Sequence, residues 1–234
     1  VYPDVELVKT ETSKQKAAIF RKIDADFDFG YFIGLLYADE HNANGEIGFS
    51  FNKKESELIE FVNNFMKRIG YRAKIKNREN NDDCGMQVIF YCETMCDILD
   101  VFVGRGSKNK KLNIAEIAKY NERFARGIIS GIIDGDGNCS QDRCSITTSS
   151  DNGAESILCL LNMIGIDASV RDVANDRGFS GNGSRCNVIT LRKSSVLEKL
   201  SECRKTNRIK KTKENHVRRG LVYSVEKISV DNPI

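Results

Sequence analysis

The chain has 234 residues, 40% of them hydrophobic and 29% charged, with a formal net charge of +3. That length can bury a sizeable core as one domain or two. There is no apolar run long enough to cross a membrane and no leader peptide, so the sequence predicts a soluble, intracellular protein.

In chain order, the first 60 residues lean acidic, and two later stretches are strongly basic. Residues 30 to 40, GYFIGLLYADE, form an apolar helix that ends in acid. A period-two stretch follows, EIGFSFN (46–52), then an amphipathic helix, ESELIEFVNNFMKRIG. In that helix Leu58, Phe61, Val62, Phe65, Met66 and Ile69 make one apolar stripe at helical spacing. Gly70 suits the left-handed residue that stops a helix. A hairpin is predicted next, YRAKIKN then MQVIFYC, with a polar turn over 77–85. A helix near 93–103 closes this half. The pattern then recurs: GIISGIIDGDG (127–137), RCSITTS (143–149), GAESILCLLNMIG ending at Gly165, a hairpin DASVRDV and CNVITLR around a turn at 174–184, and a helix near 194–203. The predicted fold is α+β, a duplicated αββαββα half with internal pseudo-two-fold symmetry. The halves are assigned to residues 25–119 and 120–219, flanked by segments 1–24 and 220–234.

Eight cysteines, at 84, 92, 96, 139, 144, 159, 186 and 203, include no Cys-x-x-Cys pair. Several, such as Cys159, sit in apolar helical patterns. The reading is reduced, mostly buried thiols rather than a metal cluster.

The two motif helices use glycine where a helix prefers alanine. Gly30 and Gly34 in one, and Gly127 and Gly131 in the other, lie four apart on one face. Without side chains they let a second backbone approach closely. If the two helices pack on each other across the pseudo-two-fold, their ends meet, and Asp39 and Asp136 become neighbours. Two carboxylates at helix C-termini repel each other and the negative ends of both dipoles. A divalent cation reverses the sign of each term, so the duplication predicts a metal site on the symmetry axis. Oxygen ligands favour a hard ion such as Mg²⁺. The alternative is a pair of solvated helix-end acids.

The segment ISGIIDGDG (129–137) closely resembles the LAGLIDADG motif of homing endonucleases, and FIGLLYADE (32–40) resembles a more divergent first copy. The resemblance covers roughly residues 25–215. It implies a monomeric, two-motif, site-specific DNA endonuclease with its motif helices at the centre and its sheets forming a saddle on the duplex. It implies metal-dependent hydrolysis across the minor groove that leaves 3′ overhangs. The eighth motif residue, the catalytic metal-binding acid, falls on Asp39 and Asp136, and the main-chain carbonyl before it on Ala38 and Gly135. The first copy departs from the pattern with Tyr37 for the sixth-position Asp and Glu40 for the final Gly. Glu40 is expected either to make the first pocket more negative, so that the strands are cut at unequal rates, or to reflect local drift in loop geometry with no kinetic effect. Non-catalytic members of this type, RNA maturases or transcription regulators, are the alternative, but here both acids are kept.

Hydrolysis of a phosphodiester gains from nearby lysines that offset charge. Lys111 lies twenty residues after Tyr91 and Lys211 twenty after Leu191. Lys110 and Lys210 are the adjacent alternatives. DNA contacts are expected on the polar strand faces. These are Glu46, Ser50 and Asn52; Arg72, Lys74, Lys76 and Arg78; Arg143, Ser145, Thr147 and Ser149; and Arg171, Arg185 and Asn187. The basic run RKTNRIKKTKENHVRR (204–219) could contact the DNA backbone, but as a generic charge run it reads more readily as a solvated helix. LVYSVEKISVDNPI, at 221–234, is similar to a strand of intein splicing domains, with VYPDVELVKTE as its counterpart. The expected partner is a long, non-palindromic double-stranded site in the cytoplasmic DNA of a prokaryotic or phage-infected host.

Overall fold

The structure is a computed structural model that describes residues 23–39, 41–43, 45–77, 85–104, 111–140, 143–175 and 184–209. Two αββαββα units run in series. The first has α1 (Phe27–Asp39), β1 (His41–Ala43), β2 (Glu46–Asn52), α2 (Ser56–Arg68), β3 (Lys74–Asn77), β4 (Gly85–Tyr91) and α3 (Glu93–Phe102). A short α4 (Ile114–Ile117) leads into the second. That unit has α5 (Glu122–Asp136), β5 (Asn138–Cys139), β6 (Cys144–Thr148), α6 (Asp151–Met163), β7 (Ala168–Asn175), β8 (Ser184–Leu191) and α7 (Lys193–Lys199). A 3₁₀ turn, Arg204–Arg208, follows.

Each unit folds one four-stranded antiparallel sheet. The strand orders are β1-β2-β4-β3 and β5-β6-β8-β7, the same topology twice. The duplication read from the sequence is therefore a duplication of the fold. Its punctuation also holds. Gly70 and Gly165 follow α2 and α6 with φ of 94° and 70°, the left-handed region that glycine enters without steric cost. Each strand set buries one face. In β2, Ile47, Phe49 and Phe51 are buried while Ser50 and Asn52 are exposed. The first half packs aromatically: Phe32 stacks on Phe65 at 4.6 Å and meets Phe49 edge-on at 5.2 Å. The second half uses aliphatics, with Ile146, Ile157, Leu160, Leu161 and Ile189 almost wholly buried.

The motif helices α1 and α5 cross at the centre through their glycines. A Cβ on Gly30 would lie 2.1 Å from the Phe124 carbonyl oxygen, and one on Gly34 2.1 Å from that of Ile128. Reciprocally, Gly127 faces the Phe27 carbonyl and Gly131 the Tyr31 carbonyl, each at 2.3 Å from a built Cβ. The four glycines thus remove the volume that would keep the two backbones apart.

Two expectations about cysteine are corrected. Cys159 is exposed, because it falls on the solvent side of α6. Cys139 and Cys144 sit directly opposite each other on β5 and β6, with Cα atoms 4.1 Å apart, and are joined as a disulfide. Sequence spacing alone does not reveal this pairing, since it depends on the register of a tight hairpin. The crosslink closes a short loop and contributes about 2 kcal/mol by chain entropy. Alkylation under non-reducing conditions should spare Cys139 and Cys144, and prior reduction should expose both to labelling. Labelling of both without reductant would show them to be thiols.

Candidate active site and nucleic-acid interface

The helix crossing determines where the acids fall. Below Gly34 and Gly131, the next close approach is between Ala38 and Gly135, where a Cβ on Gly135 would lie 2.3 Å from the Ala38 Cβ. These are the seventh residues of the two motif copies. The residue after each, Asp39 and Asp136, ends its helix. The structure thus brings the two motif C-termini side by side, as the glycine argument requires. Asp136 is exposed at the end of α5. The side chain of Asp39, and Glu40 entirely, lie outside the described residues.

The sixth motif residue of the second copy is wholly buried. Asp134 has no exposed surface, and four donors face its two oxygens. Tyr31 Oη from α1 donates to Oδ2 at 2.7 Å, and the Arg204 backbone N–H donates to the same oxygen at 2.8 Å. The Lys205 backbone N–H donates to Oδ1 at 2.7 Å, and the Cys203 thiol reaches it at 3.4 Å. Burial, then the neighbouring carboxylate, push both the Tyr31 hydroxyl and the Cys203 thiol well above their ordinary pKa values. Both groups therefore stay protonated donors at neutral pH.

Lys205 is the functional candidate that the sequence did not reveal. Its ammonium donates to the carbonyl oxygens of Gly135 at 3.0 Å and Gly137 at 2.9 Å, capping the α5 terminus beside Asp136. Burial lowers its pKa, while Asp134 and Glu55 act in the opposite sense. Lys205 lies in the basic run read as solvated. Neither spacing nor charge marks it, because its place depends on a contact to Asp134 made through the backbone. Of the nominated lysines, Lys111 is exposed beside the bridge between Val103 and Leu112. Lys110, Lys210 and Lys211 lie outside the described residues.

Most of the nominated strand residues among those described are exposed. In the first sheet Ser50, Gln87 and Lys76 lie abreast across β2, β4 and β3. Arg72, Lys74 and Lys76 are exposed, Glu46 is half-buried, and Arg78 is not among the described residues. Gln87 joins this face through the register, a position the sequence reading passed over. In the second sheet Thr147, Val188 and Arg171 lie abreast, as do Ser145, Thr190 and Ser169. Arg143, Thr147, Ser149 and Arg171 are exposed, whereas Ser145 is only 8% exposed. Arg143 donates to Thr190 Oγ1 at 3.3 Å.

Arg185 and Asn187 are a correction. They share strand parity with Ile189 and Leu191, which are buried, and so lie on the helix-facing side of β8. Asn187 donates to Asp151 at the start of α6 at 2.7 Å, and Arg185 pairs with Asp172 at 3.4 Å. These contacts direct both residues away from the face that carries Thr147 and Arg171.

Among the described residues, no helix is long and apolar enough to cross a membrane. A curated relative, the DNA-directed RNA polymerase subunit Rpo1C of Methanocaldococcus jannaschii, is 30% identical over 136 residues, 58% of this chain and 15% of that subunit. The chain therefore spans a small part of that relative. Among solved structures, I-DmoI in complex with DNA and manganese aligns over 76% of this chain and 98% of that chain, at a TM-score of 0.54 and 14% identity. Mesophilic variants of the homing endonuclease I-DmoI align over 76% and 97%, at 0.53 and 13%. I-DmoI with DNA and calcium aligns over 75% and 88%, at 0.50 and 12%. Identity this low shows a shared fold alone. The family model described as Homing endonuclease matches residues 113–217, the half whose motif is the fuller of the two. That match falls on the second of two units built around glycine-packed motif helices, so this half of the chain is similar to the homing endonuclease family, and the whole shares its fold with I-DmoI.

Proposed function

We propose that this protein cuts double-stranded DNA at one long, non-palindromic site, hydrolysing one phosphodiester per strand and leaving short 3′ overhangs. The observation that carries the reading is the contact of Ala38 with Gly135, which ends the two motif helices side by side in Asp39 and Asp136. The donor set fits a hard divalent ion, Mg²⁺ by preference: two carboxylates and the carbonyls of Ala38 and Gly135. The Gly135 carbonyl already accepts from a cationic group, the Lys205 ammonium, so its oxygen is directed at positive charge. A bound metal would supply activation of water and charge relief on the scissile phosphate. The chain's own contribution is to hold the acids at the crossing and to place the Lys205 charge near the developing oxyanion. The structures of I-DmoI with DNA and with manganese or calcium support this reading.

The sheets are the proposed DNA surface, with Arg72, Lys74, Lys76 and Gln87 on one half-site and Arg143, Thr147, Ser149 and Arg171 on the other. The two halves need each other to complete the helix crossing, which favours an active monomer. A shared segment that occupies 15% of a polymerase subunit is what an intein within a host protein would give, and this supports an intein origin. Such an enzyme would act on DNA in the cytoplasm of its host.

The test is a plasmid in which the genomic sequences flanking the reading frame are joined without it. Incubation with Mg²⁺ should linearise it at one position. Salt-sensitive binding without cutting in Mg²⁺ or Mn²⁺ would instead identify a non-catalytic nucleic-acid binder. Binding should also report the phosphate contacts. Replacing both Lys74 and Lys76 by alanine should lower the slope of log affinity against log salt by about two, since each neutralised phosphate releases about one counterion. An unchanged slope would take β3 off the DNA.

A further inference from the structure

We infer that Asp134 is a positioning residue that delivers Lys205 to the second active-site half, and that Tyr37, at the same motif position of the first half, does not play this part. The inference rests on the endonuclease reading for its consequence and on hydrogen-bond geometry for its content. Asp134 is wholly buried in α5, where a carboxylate without partners is costly. Both of its oxygens are committed to the turn that carries Lys205, through the backbone N–H groups of Arg204 and Lys205. The hydroxyl of Tyr31 ties the same carboxylate to α1, the other motif helix. Arg204 then reaches Glu55 and Glu57 at the start of α2, each at 3.5 Å, so the turn is fastened to the first half as well. With residues 203–205 fixed, the Lys205 ammonium spans the Gly135 and Gly137 carbonyls, on either side of Asp136 in the chain.

The corresponding residue of the first motif is Tyr37, which is buried and carries no carboxylate. It cannot accept two backbone N–H groups in this way. The sixth motif position therefore distinguishes the two halves. One strand of the DNA is cut with a lysine held by a buried acid, and the other is cut without that device.

The experiment pairs amide hydrogen exchange with strand-resolved cleavage of end-labelled target, using the full chain with Asp134→Asn, Lys205→Met and the double variant. In Asp134→Asn the Arg204 and Lys205 amides should exchange roughly tenfold faster or more, as expected for loss of buried bonds to a charged acceptor, while the α1 and α5 core amides stay protected. Both single variants should slow the same strand by about a hundredfold, the scale of a misplaced active-site group, and leave the other strand within about threefold. The double variant should be no slower than Lys205→Met. Equal slowing of both strands, slowing of different strands, or unchanged exchange at residues 204 and 205 would overturn the inference. If Asp134→Asn does not fold, Tyr31→Phe removes one donor and leaves three. It should then show the same local exchange and the same strand bias at smaller size, and the absence of both would refute the role. If the wild type cuts no DNA, the endonuclease reading fails, and the exchange result decides the Asp134 contact by itself.

Discussion

Replacing Asp136 by asparagine should lower double-strand cutting by at least about a thousandfold while leaving DNA affinity within a few-fold. Asparagine keeps the size of the side chain and its place at the end of α5. It removes the charge that would hold a divalent ion beside the Gly135 carbonyl. Loss of metal-assisted charge relief is worth several kcal/mol, and about 4 kcal/mol is a thousandfold in rate. The proposed DNA surface is on the sheets, on different residues, so binding should be spared. Asp39→Asn should behave alike, since it ends the partner helix at the same crossing. Stability separates this outcome from misfolding. A carboxylate at a helix C-terminus opposes the dipole, so in the absence of metal the neutral variants should be equal to or more stable than the wild type, by about 0.5 kcal/mol. Full linearisation by either variant would remove these acids from the mechanism. A loss of cutting accompanied by a lower melting temperature would show the fold to be the cause instead.

The parts of the site that the sequence made legible are those set by local periodicity and by repetition. Glycines four apart predicted a close helix pair, and the Cβ positions at Gly30, Gly34, Gly127 and Gly131 confirm it. Period-two alternation sorted Ile47, Phe49 and Phe51 from Ser50 and Asn52. What escaped the reading depends on contacts across long separations. Lys205 looks like one more charge in a basic run until the Asp134 carboxylate, 71 residues away, is seen to bind its backbone. Cys139 and Cys144 become a pair only once the hairpin register is known. Arg185 and Asn187 are a different case, because the signal was present. They alternate in step with Ile189 and Leu191, and that parity alone assigns them to the packed face. Charge makes such residues look like phosphate contacts, but phase decides which side of a strand a residue occupies.

Substituting alanine for Gly34 should destabilise the protein by about 3 kcal/mol or more, although alanine is the better helix former by about 1 kcal/mol. The new Cβ would lie 2.1 Å from the Ile128 carbonyl oxygen and 2.9 Å from the Gly131 Cα, and both obstacles are backbone. No side-chain rotation relieves the clash, so the helices must separate. Separation opens contacts along the whole crossing, including those of Phe124, Ile128 and Leu35, which are almost fully buried. Gly131→Ala should cost a similar amount, since its Cβ would meet the Tyr31 carbonyl oxygen at 2.3 Å. The two should not add. Gly34 and Gly131 face each other, so once one methyl has pushed the helices apart the second finds some of its space already open. Gly165→Ala is the internal control. Its site is open apart from the Lys199 side chain at 3.9 Å, so only the φ of +70° is at stake, and the cost should stay near 1 kcal/mol. Urea melts with equal slopes would give the three values directly. The same displacement separates the ends of α1 and α5. Gly34→Ala protein that remains folded at low temperature should therefore bind DNA and fail to cut it. A loss below about 1 kcal/mol for Gly34→Ala, with cutting intact, would mean that the glycine crossing does not set the spacing of Asp39 and Asp136.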